Sequence, residues 1–341
     1  MLVKDSLKAP VRANRRKKQM KRKGNLFDKI CSFENIYSAY LKARKGKKLK
    51  KEVLLFNYNL EANLINLEKE LRTGKYVHGG YKEFVVRDSK RRIIRAPCFK
   101  DRIVHHALCN VIEPIFEKTF IFDSYACRKG KGTHRAVKRV KTWLKTAGDY
   151  CLQCDIAKYF DSIDQTILLK LIEKKIKDKK TIHLIEEIIN SFNQETKVGI
   201  PIGNLTSQLF ANVYLNELDQ NVKRELKQKY FIRYMDDFLI LGEKQELRFL
   251  KEKLEKFLQS LKLCFKKAEI FPLAKGIDFL GYIIFKDFVL LRKNTIKRIL
   301  KKIGKERSNA WFAYTKHANS FYLGQRFFTM YPCCNLYPCF L

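Results

Sequence analysis

Two adjacent carboxylates interrupt a largely apolar stretch of the chain. Asp236 and Asp237 follow the run Phe231–Met235 and precede the apolar run Phe238–Leu241. Because side chains alternate between the two faces of a strand, neighbouring Asp residues cannot both enter one core. The economical structure is a hairpin whose turn carries the acidic pair. A solvated Asp-Asp turn would also fit this pattern, so the interpretation depends on a third acid.

Asp155 supplies that third acid. It follows the apolar run Tyr150–Cys154 and leads into the segment 156–164, which is typical of a short turn. If this strand lies beside the 231–241 hairpin, three carboxylates meet. Hard cations such as Mg²⁺ prefer oxygen ligands, and two such ions can hold the attacking and leaving oxygens of a phosphoryl displacement. The pattern therefore predicts nucleotidyl transfer.

The charge of the chain indicates a polyanionic partner. The 341 residues include 71 Lys or Arg against 35 Asp or Glu, which gives a formal net charge of +36. Such an excess predicts strongly salt-dependent binding to nucleic acid. No apolar run approaches the roughly 18 residues that a membrane-spanning helix needs. The basic N-terminus also lacks the apolar segment that follows it in a secretory signal. We therefore expect a cytoplasmic protein without a membrane partner. In that compartment its ten Cys are expected to be reduced thiols.

Residue periodicity predicts an α+β chain in which strands with acids at their ends are flanked by helices. A hairpin is expected over 81–97, and Asp101 is expected to cap the helix that follows it. Further helices are predicted at 60–74, 166–176, 181–192, 205–226, 245–261, 294–303 and 310–328. Short strands are predicted at 263–265 and 279–285.

Three further segments could contact phosphate. Arg92 and Arg95 lie on the 81–97 hairpin, and a guanidinium suits bidentate phosphate contact, although a solvated hairpin would look the same. The cationic, glycine-rich loop 128–133 would let backbone amides approach phosphate. Gly203 lies in a turn that opens a helix, where an anion is favoured.

In this order, the motifs resemble those of the reverse transcriptase palm. The matching residues are Asp155 with Phe160, Gly203 with Ser207, Tyr234–Asp237 and Phe279–Gly281. More narrowly, the segment Ile202–Gln208 resembles the reverse transcriptases of diversity-generating retroelements. Group II intron and retroviral enzymes carry Gln-Gly and Ser-Pro where this chain has Ile202-Gly203 and Ser207-Gln208.

The resemblance implies a right-hand polymerase fold with fingers, a palm of antiparallel sheet plus helices, and a short helical thumb. The implied divisions are a basic N-terminal arm and helix (1–54), fingers (55–148), palm (149–285, with finger-side helices 166–200 inserted), thumb (286–330) and an atypical tail (331–341).

The resemblance also implies RNA-templated DNA synthesis and a role for each matching residue. Two Mg²⁺ ions, with Mn²⁺ as a substitute, would be held by Asp155, Asp236, Asp237 and the Ile156 carbonyl. The nucleotide would be bound by Arg92, Arg95, Phe160, Ile202 and Gly203, with Phe160 selecting dNTPs against ribose. Template and primer would be bound by Arg128, Lys129, Lys131, Ser207, Gln208 and Gly281. The general acid for pyrophosphate would be Lys266 or Lys267.

The family's biology implies low fidelity. Ile202 cannot make the hydrogen bond that Gln makes in relatives, so misincorporation is expected chiefly opposite template adenine. The implied partners are a template RNA, a primer or cDNA, dNTPs and a small basic accessory protein, in a bacterial, archaeal or phage-encoded system. The alternatives are a retron, abortive-infection or group II intron type of reverse transcriptase, or a non-catalytic RNA-binding scaffold.

Overall fold

The computed structural model describes residues 22–87, 91–192, 195–302 and 314–320. The predicted basic arm up to residue 21, the tail 331–341 and most of the predicted helix 310–328 lie outside these ranges. The boundaries expected for fingers, palm and thumb stay predictions.

Helices and strands both contribute to the described fold, so the α+β prediction is confirmed. The helices are α1 (Phe27–Cys31), α2 (Phe33–Ala43), α3 (Lys51–Tyr58), α4 (Leu60–Arg72), α5 (Phe99–Glu117), α6 (Thr133–Trp143), α7 (Tyr159–Ser162), α8 (Gln165–Glu173), α9 (Lys179–Asn190), α10 (Leu205–Gln220), α11 (Lys244–Ser260) and α12 (Lys293–Lys302). The strands are β1 (Tyr81–Arg87), β2 (Arg91–Pro97), β3 (Tyr150–Ile156), β4 (Phe231–Tyr234), β5 (Asp237–Gly242), β6 (Phe265–Pro272), β7 (Ile277–Phe279), β8 (Tyr282–Ile284) and β9 (Val289–Leu291).

A four-stranded antiparallel sheet with strand order β4-β5-β3-β6 forms the centre of the fold. Its two faces are covered differently, because side chains alternate along each strand. On β3, Leu152 and Cys154 pack into the main core with helices α5, α8, α10 and α11. Cys151 belongs to a second core with α6 and the separate sheet β7-β8-β9. Asp155 is an even number of residues from Cys151, so it shares the face of the second core.

The hairpin β1–β2 is confirmed, with Tyr81 opposite Pro97. The predicted cap of α5 is wrong. The helix begins at Phe99 with Cys98 at the cap position, and Asp101 lies in the first turn. There the buried Asp101 carboxylate accepts hydrogen bonds from the Tyr76 hydroxyl at 2.8 Å and the Gly79 amide at 2.9 Å. A buried acid needs such donors, and this requirement outweighs its preference for the cap.

Three other elements differ from expectation. The predicted strand 279–285 is two strands, because Leu280 (φ 53°) and Gly281 (φ 90°) turn the chain between β7 and β8. The predicted strand 263–265 is instead β6, an eight-residue edge strand whose Lys-rich sequence hides its pattern. The predicted helix 205–226 ends as an α-helix at Gln220 and continues as one π-helical turn, Asn221–Glu225. Helices α1, α3, α6 and α7 were not predicted, and strand β9 lies in the segment predicted as a helical thumb.

Among the helices within the described ranges, none combines the length and the apolar character required to cross a bilayer.

Candidate active site

Two of the three predicted catalytic acids face each other across neighbouring strands. Asp155 on β3 is the register partner of Asp237 on β5. Tyr234 and Asp237 close the β4–β5 hairpin, so Met235 and Asp236 form its two-residue turn. Met235 has φ 58°, a left-handed conformation that is uncommon for a side chain of this size. The predicted acidic hairpin, and its position beside the strand of Asp155, are confirmed.

A fully buried ion pair anchors this turn. The Arg233 guanidinium donates to both carboxylate oxygens of Asp219 at 2.6 Å, and both side chains have no exposed surface. Arg233 also donates to the Asn212 side chain at 3.2 Å and to the Met235 carbonyl at 3.0 Å. Burial opposes the charge of Arg233, but Asp219 more than offsets it, so the pKa of Arg233 lies above its usual value.

Sequence reasoning missed this anchor. The available signal was an Arg inside the apolar run Phe231–Tyr234, since a buried guanidinium requires an acidic partner. Nothing in the sequence singled out Asp219 as that partner.

The strand pairing distinguishes Lys266 from Lys267. Asp155 pairs with Lys267 and Ile156 pairs with Phe265, so Lys266 is the extra residue of a β-bulge on β6. The Lys266 ammonium lies 2.5 Å from a carboxylate oxygen of Asp155. Lys267 instead pairs with Glu269 at 2.8 Å. Of the two predicted general acids, Lys266 is the one that contacts Asp155, a predicted catalytic carboxylate.

The donor chemistry here suits a hard divalent cation. Asp155, Asp236 and Asp237 offer only oxygen atoms, which Mg²⁺ and Mn²⁺ prefer. Across the described ranges, however, no group of three or more His, Cys, Asp or Glu side chains has the arrangement of a metal site. The ammonium of Lys266 already places one positive charge against Asp155.

The chain after Asp155 turns sharply. The Ile156 side chain is buried, and the Ala157 amide donates to the Cys264 carbonyl at 2.9 Å. Lys158 adopts a left-handed conformation (φ 41°) and caps the short helix α7, on which Phe160 is half-buried. The Phe160 carbonyl accepts from the Ile200 amide at 2.9 Å. Phe160 is therefore held beside the turn that contains Ile202 and Gly203.

That turn docks against the β1–β2 hairpin. The Arg95 amide donates to the Ile202 carbonyl at 2.9 Å. Gly203 has φ +121°, and a Cβ at this position would lie 2.8 Å from the Ile94 side chain and 3.2 Å from the Arg95 carbonyl. Only glycine allows this approach without a shift of the hairpin. The structure thus brings together Arg95, Ile202 and Gly203, which were predicted as nucleotide-binding residues.

The two predicted hairpin arginines differ in what they contact. The Arg95 guanidinium pairs with Glu83 at 2.5 Å and lies over the Phe192 ring, 4.8 Å from its centroid. Arg92 is exposed near the end of the same strand. Arg92 is therefore the better placed of the two to meet a phosphate in solution.

Ser207 and Gln208 lie in the first turns of α10. Ser207 is buried, whereas Gln208 is exposed and lines a cavity of about 180 Å³ that Gly203 and His106 also line. His105 is buried and also lines this cavity, and its Nδ1 lies 3.5 Å from the Thr206 hydroxyl. Burial, with His78 and His106 nearby, lowers the pKa of His105 to about 3.

The basic loop adjoins the acidic hairpin. The Thr133 hydroxyl lies 3.3 Å from the Tyr234 hydroxyl. Within the loop, the Arg128 guanidinium is nearly buried against Glu117, at 2.6 Å, and Lys131 donates to the Phe122 carbonyl at 2.7 Å. Arg128 and Lys131 thus stabilise the conformation of the loop itself. Lys129, in contrast, is exposed to solvent.

Gly281 lies in the turn between β7 and β8, on the same side of the central sheet as Asp155. Its carbonyl accepts from the Arg292 amide and the Thr295 hydroxyl, each at 3.0 Å. The Gln153 side chain, two residues before Asp155, donates to the Asp278 carbonyl at 2.9 Å. This contact joins the β7–β9 sheet to β3, the strand that carries Asp155.

Comparison with known proteins agrees with this geometry. Residues 82–284, more than half of the chain, match the family described as reverse transcriptase (RNA-dependent DNA polymerase). The chain belongs to the reverse transcriptase family. Its enzyme class is therefore RNA-directed DNA polymerase.

Several relatives are similar to this reverse transcriptase. Protein YkfC of Escherichia coli (strain K12) is 27% identical, over 65% of this chain and 71% of YkfC. The group II intron-encoded protein LtrA of Lactococcus lactis subsp. cremoris is also 27% identical, over 61% of this chain and 46% of LtrA. A structure of apo telomerase from Candida Tropicalis, truncated from its C-terminal domain, aligns with a TM-score of 0.49 at 15% identity, over 62% of this chain and 55% of that one. This chain spans less than half of LtrA.

Proposed function

We propose that this reverse transcriptase copies the RNA of a diversity-generating retroelement into cDNA with low fidelity. The observation that carries its polymerase chemistry is the pairing of Asp155 with Asp237 on adjacent strands, with Asp236 in the adjoining turn. Acids from distant parts of the chain thus lie together at the ends of the two central strands, which suits metal-assisted, in-line phosphoryl transfer.

In this proposal, Asp155, Asp236, Asp237 and the Ile156 carbonyl would hold two Mg²⁺ ions, for which Mn²⁺ could substitute. The ions would supply charge stabilisation of the attacking and leaving oxygens. Three side chains of the protein would bind and select the nucleotide and protonate the leaving group. Arg92 binds the triphosphate, Phe160 excludes a ribose 2′-hydroxyl, and Lys266 donates a proton to the leaving pyrophosphate.

The retroelement assignment rests on the segment Ile202–Gln208. Ile202 stands where related polymerases use an amide side chain, and it lies at the contact between the turn and the hairpin. An apolar side chain there cannot hydrogen-bond the incoming nucleotide, which weakens discrimination between bases. We infer an accessory protein, small and basic, that supports this activity on its template.

A group II intron type of reverse transcriptase is the second candidate, because LtrA is among the similar proteins. The two candidates differ in fidelity. Sequencing of cDNA made on an adenine-rich RNA template, with and without a candidate accessory protein, separates them. Errors concentrated opposite adenine support the retroelement type, and errors spread evenly over the four bases contradict it.

The polymerase activity itself is tested by primer extension on RNA. Asp236→Asn should lower the rate by roughly 10³-fold, because it removes one charge from the site that stabilises the transferring phosphoryl group. Asp161→Asn, which changes an exposed acid on α7 close to the site in sequence, is the matched control and should retain activity. Equal extension rates for the wild type and Asp236→Asn would contradict the assigned site, and no extension by the wild type would favour the non-catalytic scaffold.

A further inference from the structure

A strongly basic groove lies on the helical side of the central sheet. It has a cavity volume of about 1090 Å³ and is lined by the end of α5, by α8 and the residues after it, and by the last turns of α10. These helices pack on the face of β3 that carries Leu152 and Cys154. Asp155 faces the other side, so the sheet separates the groove from the catalytic acids.

Cations come from every part of the groove's wall. Lys170, Lys174 and Lys177 come from α8 and the chain after it, and Lys118 follows the end of α5. Arg224 lies in the π-helical turn after α10. All of them are exposed. Charges on facing walls can neutralise phosphates along a strand that lies between them.

Little of this charge is neutralised internally. Two carboxylates, Glu173 and Glu217, line the groove with these cations. Within the described ranges the lining cations form a single ion pair, Lys174 with Glu217, at 3.3 Å. Both of its side chains are more than a third exposed, so solvent screens it. The groove therefore keeps a strong positive potential.

The N-terminal end of the described chain adds to this charge. The Lys23 amide donates to the Lys175 carbonyl at 2.7 Å, and the Lys177 amide donates to the Lys23 carbonyl at 2.8 Å. Arg22, the residue before this contact, lines the groove. In the sequence, the stretch 12–23 contains eight Lys or Arg and no acid.

We propose that this groove binds a segment of RNA that is not being copied. The copied strand has to reach Asp155 and Asp237 on the opposite side of the sheet, so a strand in this groove serves to hold the RNA on the protein. Among the polar side chains of the lining, the Gln220 amide already donates to the Thr119 carbonyl at 2.8 Å and to the Asn216 side chain at 3.1 Å. The exposed cations are therefore the groups that would receive the RNA, through its phosphates. The proposal requires only that the chain meets RNA.

The test uses the full chain and the triple variant Lys118→Glu/Lys170→Glu/Arg224→Glu. The matched control, Arg248→Glu/Lys253→Glu/Lys256→Glu, makes the same charge change on exposed residues of α11. Binding of an unprimed RNA hairpin is followed by fluorescence anisotropy over a salt series. No dNTP is present, so RNA binding is measured independently of polymerase activity.

We expect the groove variant to lose at least about tenfold in RNA affinity, with the slope of log affinity against log salt falling by about 2, since three phosphate contacts are removed. The control should change both quantities much less. Primer extension on a short, pre-annealed primer–template at saturating concentration should stay at the wild-type level for the groove variant.

Three outcomes would overturn the proposal. Equal weakening of the two triple variants would mean that overall charge, not the groove, binds the RNA. A parallel loss of extension on the short primer–template would mean that the groove carries the copied strand. Binding of polyglutamate is measured in the same way. If the groove variant keeps its RNA affinity but loses polyglutamate binding, the groove binds an acidic protein.

Discussion

Arg233 and Asp219 form a bidentate ion pair, 2.6 Å in each contact, that is completely enclosed beneath the acidic hairpin. It joins α10 to β4 and, through the Met235 carbonyl, to the turn that carries Asp236. The turn that carries Asp236 is thus anchored by a buried charge pair, and neither member of the pair is a predicted catalytic residue.

Asp219→Asn should destabilise the protein by about 3–5 kcal/mol, because it leaves the Arg233 charge buried and unpaired. Urea unfolding measures this loss as a lower midpoint. Glu217 lies on the same helix as Asp219 and forms an exposed pair with Lys174, so Glu217→Gln is the control and should cost less than about 1 kcal/mol. Equal midpoints for the two variants would contradict the anchoring role.

The meeting of Asp155 with Asp237 was predictable, whereas the anchor and the bulge were not. Strand alternation and the apolar runs on both sides restrict where the acids can lie, and the ordered motifs fix which strands are neighbours. The pairing of Arg233 with Asp219 depends on how α10 is rotated against the sheet, which no local pattern encodes. The bulge at Lys266 depends on the register of β6 against β3. The sequence alone therefore could not show which of Lys266 and Lys267 contacts Asp155.

Removal of Lys266 should impair catalysis far more than removal of Lys267. Lys266→Ala should lower kcat of primer extension by about 10²-fold if the ammonium protonates the leaving pyrophosphate. Lys267→Ala is the matched control, since its ammonium pairs with Glu269 instead. The pH profile of kcat adds a second readout, because loss of the acid should remove the fall in rate at high pH. Similar rates for the two variants would exclude a special role for Lys266.

Ile202→Gln should raise fidelity. The amide restores a hydrogen bond towards the incoming nucleotide, which is worth about 1 kcal/mol, so misincorporation opposite template adenine should fall by several-fold to about tenfold. Sequencing of cDNA from an adenine-rich RNA template measures the change. Ile202→Leu keeps the side chain apolar and should keep the wild-type error spectrum. If Gln and Leu give the same spectrum, the side chain at this position does not set fidelity.

Stability should fall in mildly acidic solution through His105. Its pKa in the folded state is about 3, against an ordinary value of 6.5, because burial excludes the charged form and His78 and His106 add to the effect. Between these values the unfolded chain binds more protons than the folded one, so stability is lost as the pH drops through 6.5. The contribution approaches about 1.4 kcal/mol per pH unit below that point.

His105→Asn removes this proton uptake while keeping a polar group near the Thr206 hydroxyl. Urea titrations between pH 7 and pH 5 give the free energy of unfolding of each variant. For His105→Asn this free energy should fall less steeply with acid than for the wild type, by a slope that corresponds to up to about one bound proton. His183→Asn changes a histidine whose side chain is 70% exposed and should leave the wild-type slope unchanged. Because the comparison is of slopes, a uniform loss of stability in His105→Asn would not obscure it. Parallel curves for His105→Asn and the wild type would show that His105 is protonated as readily in the folded chain as in the unfolded one, and that its burial does not limit acid stability.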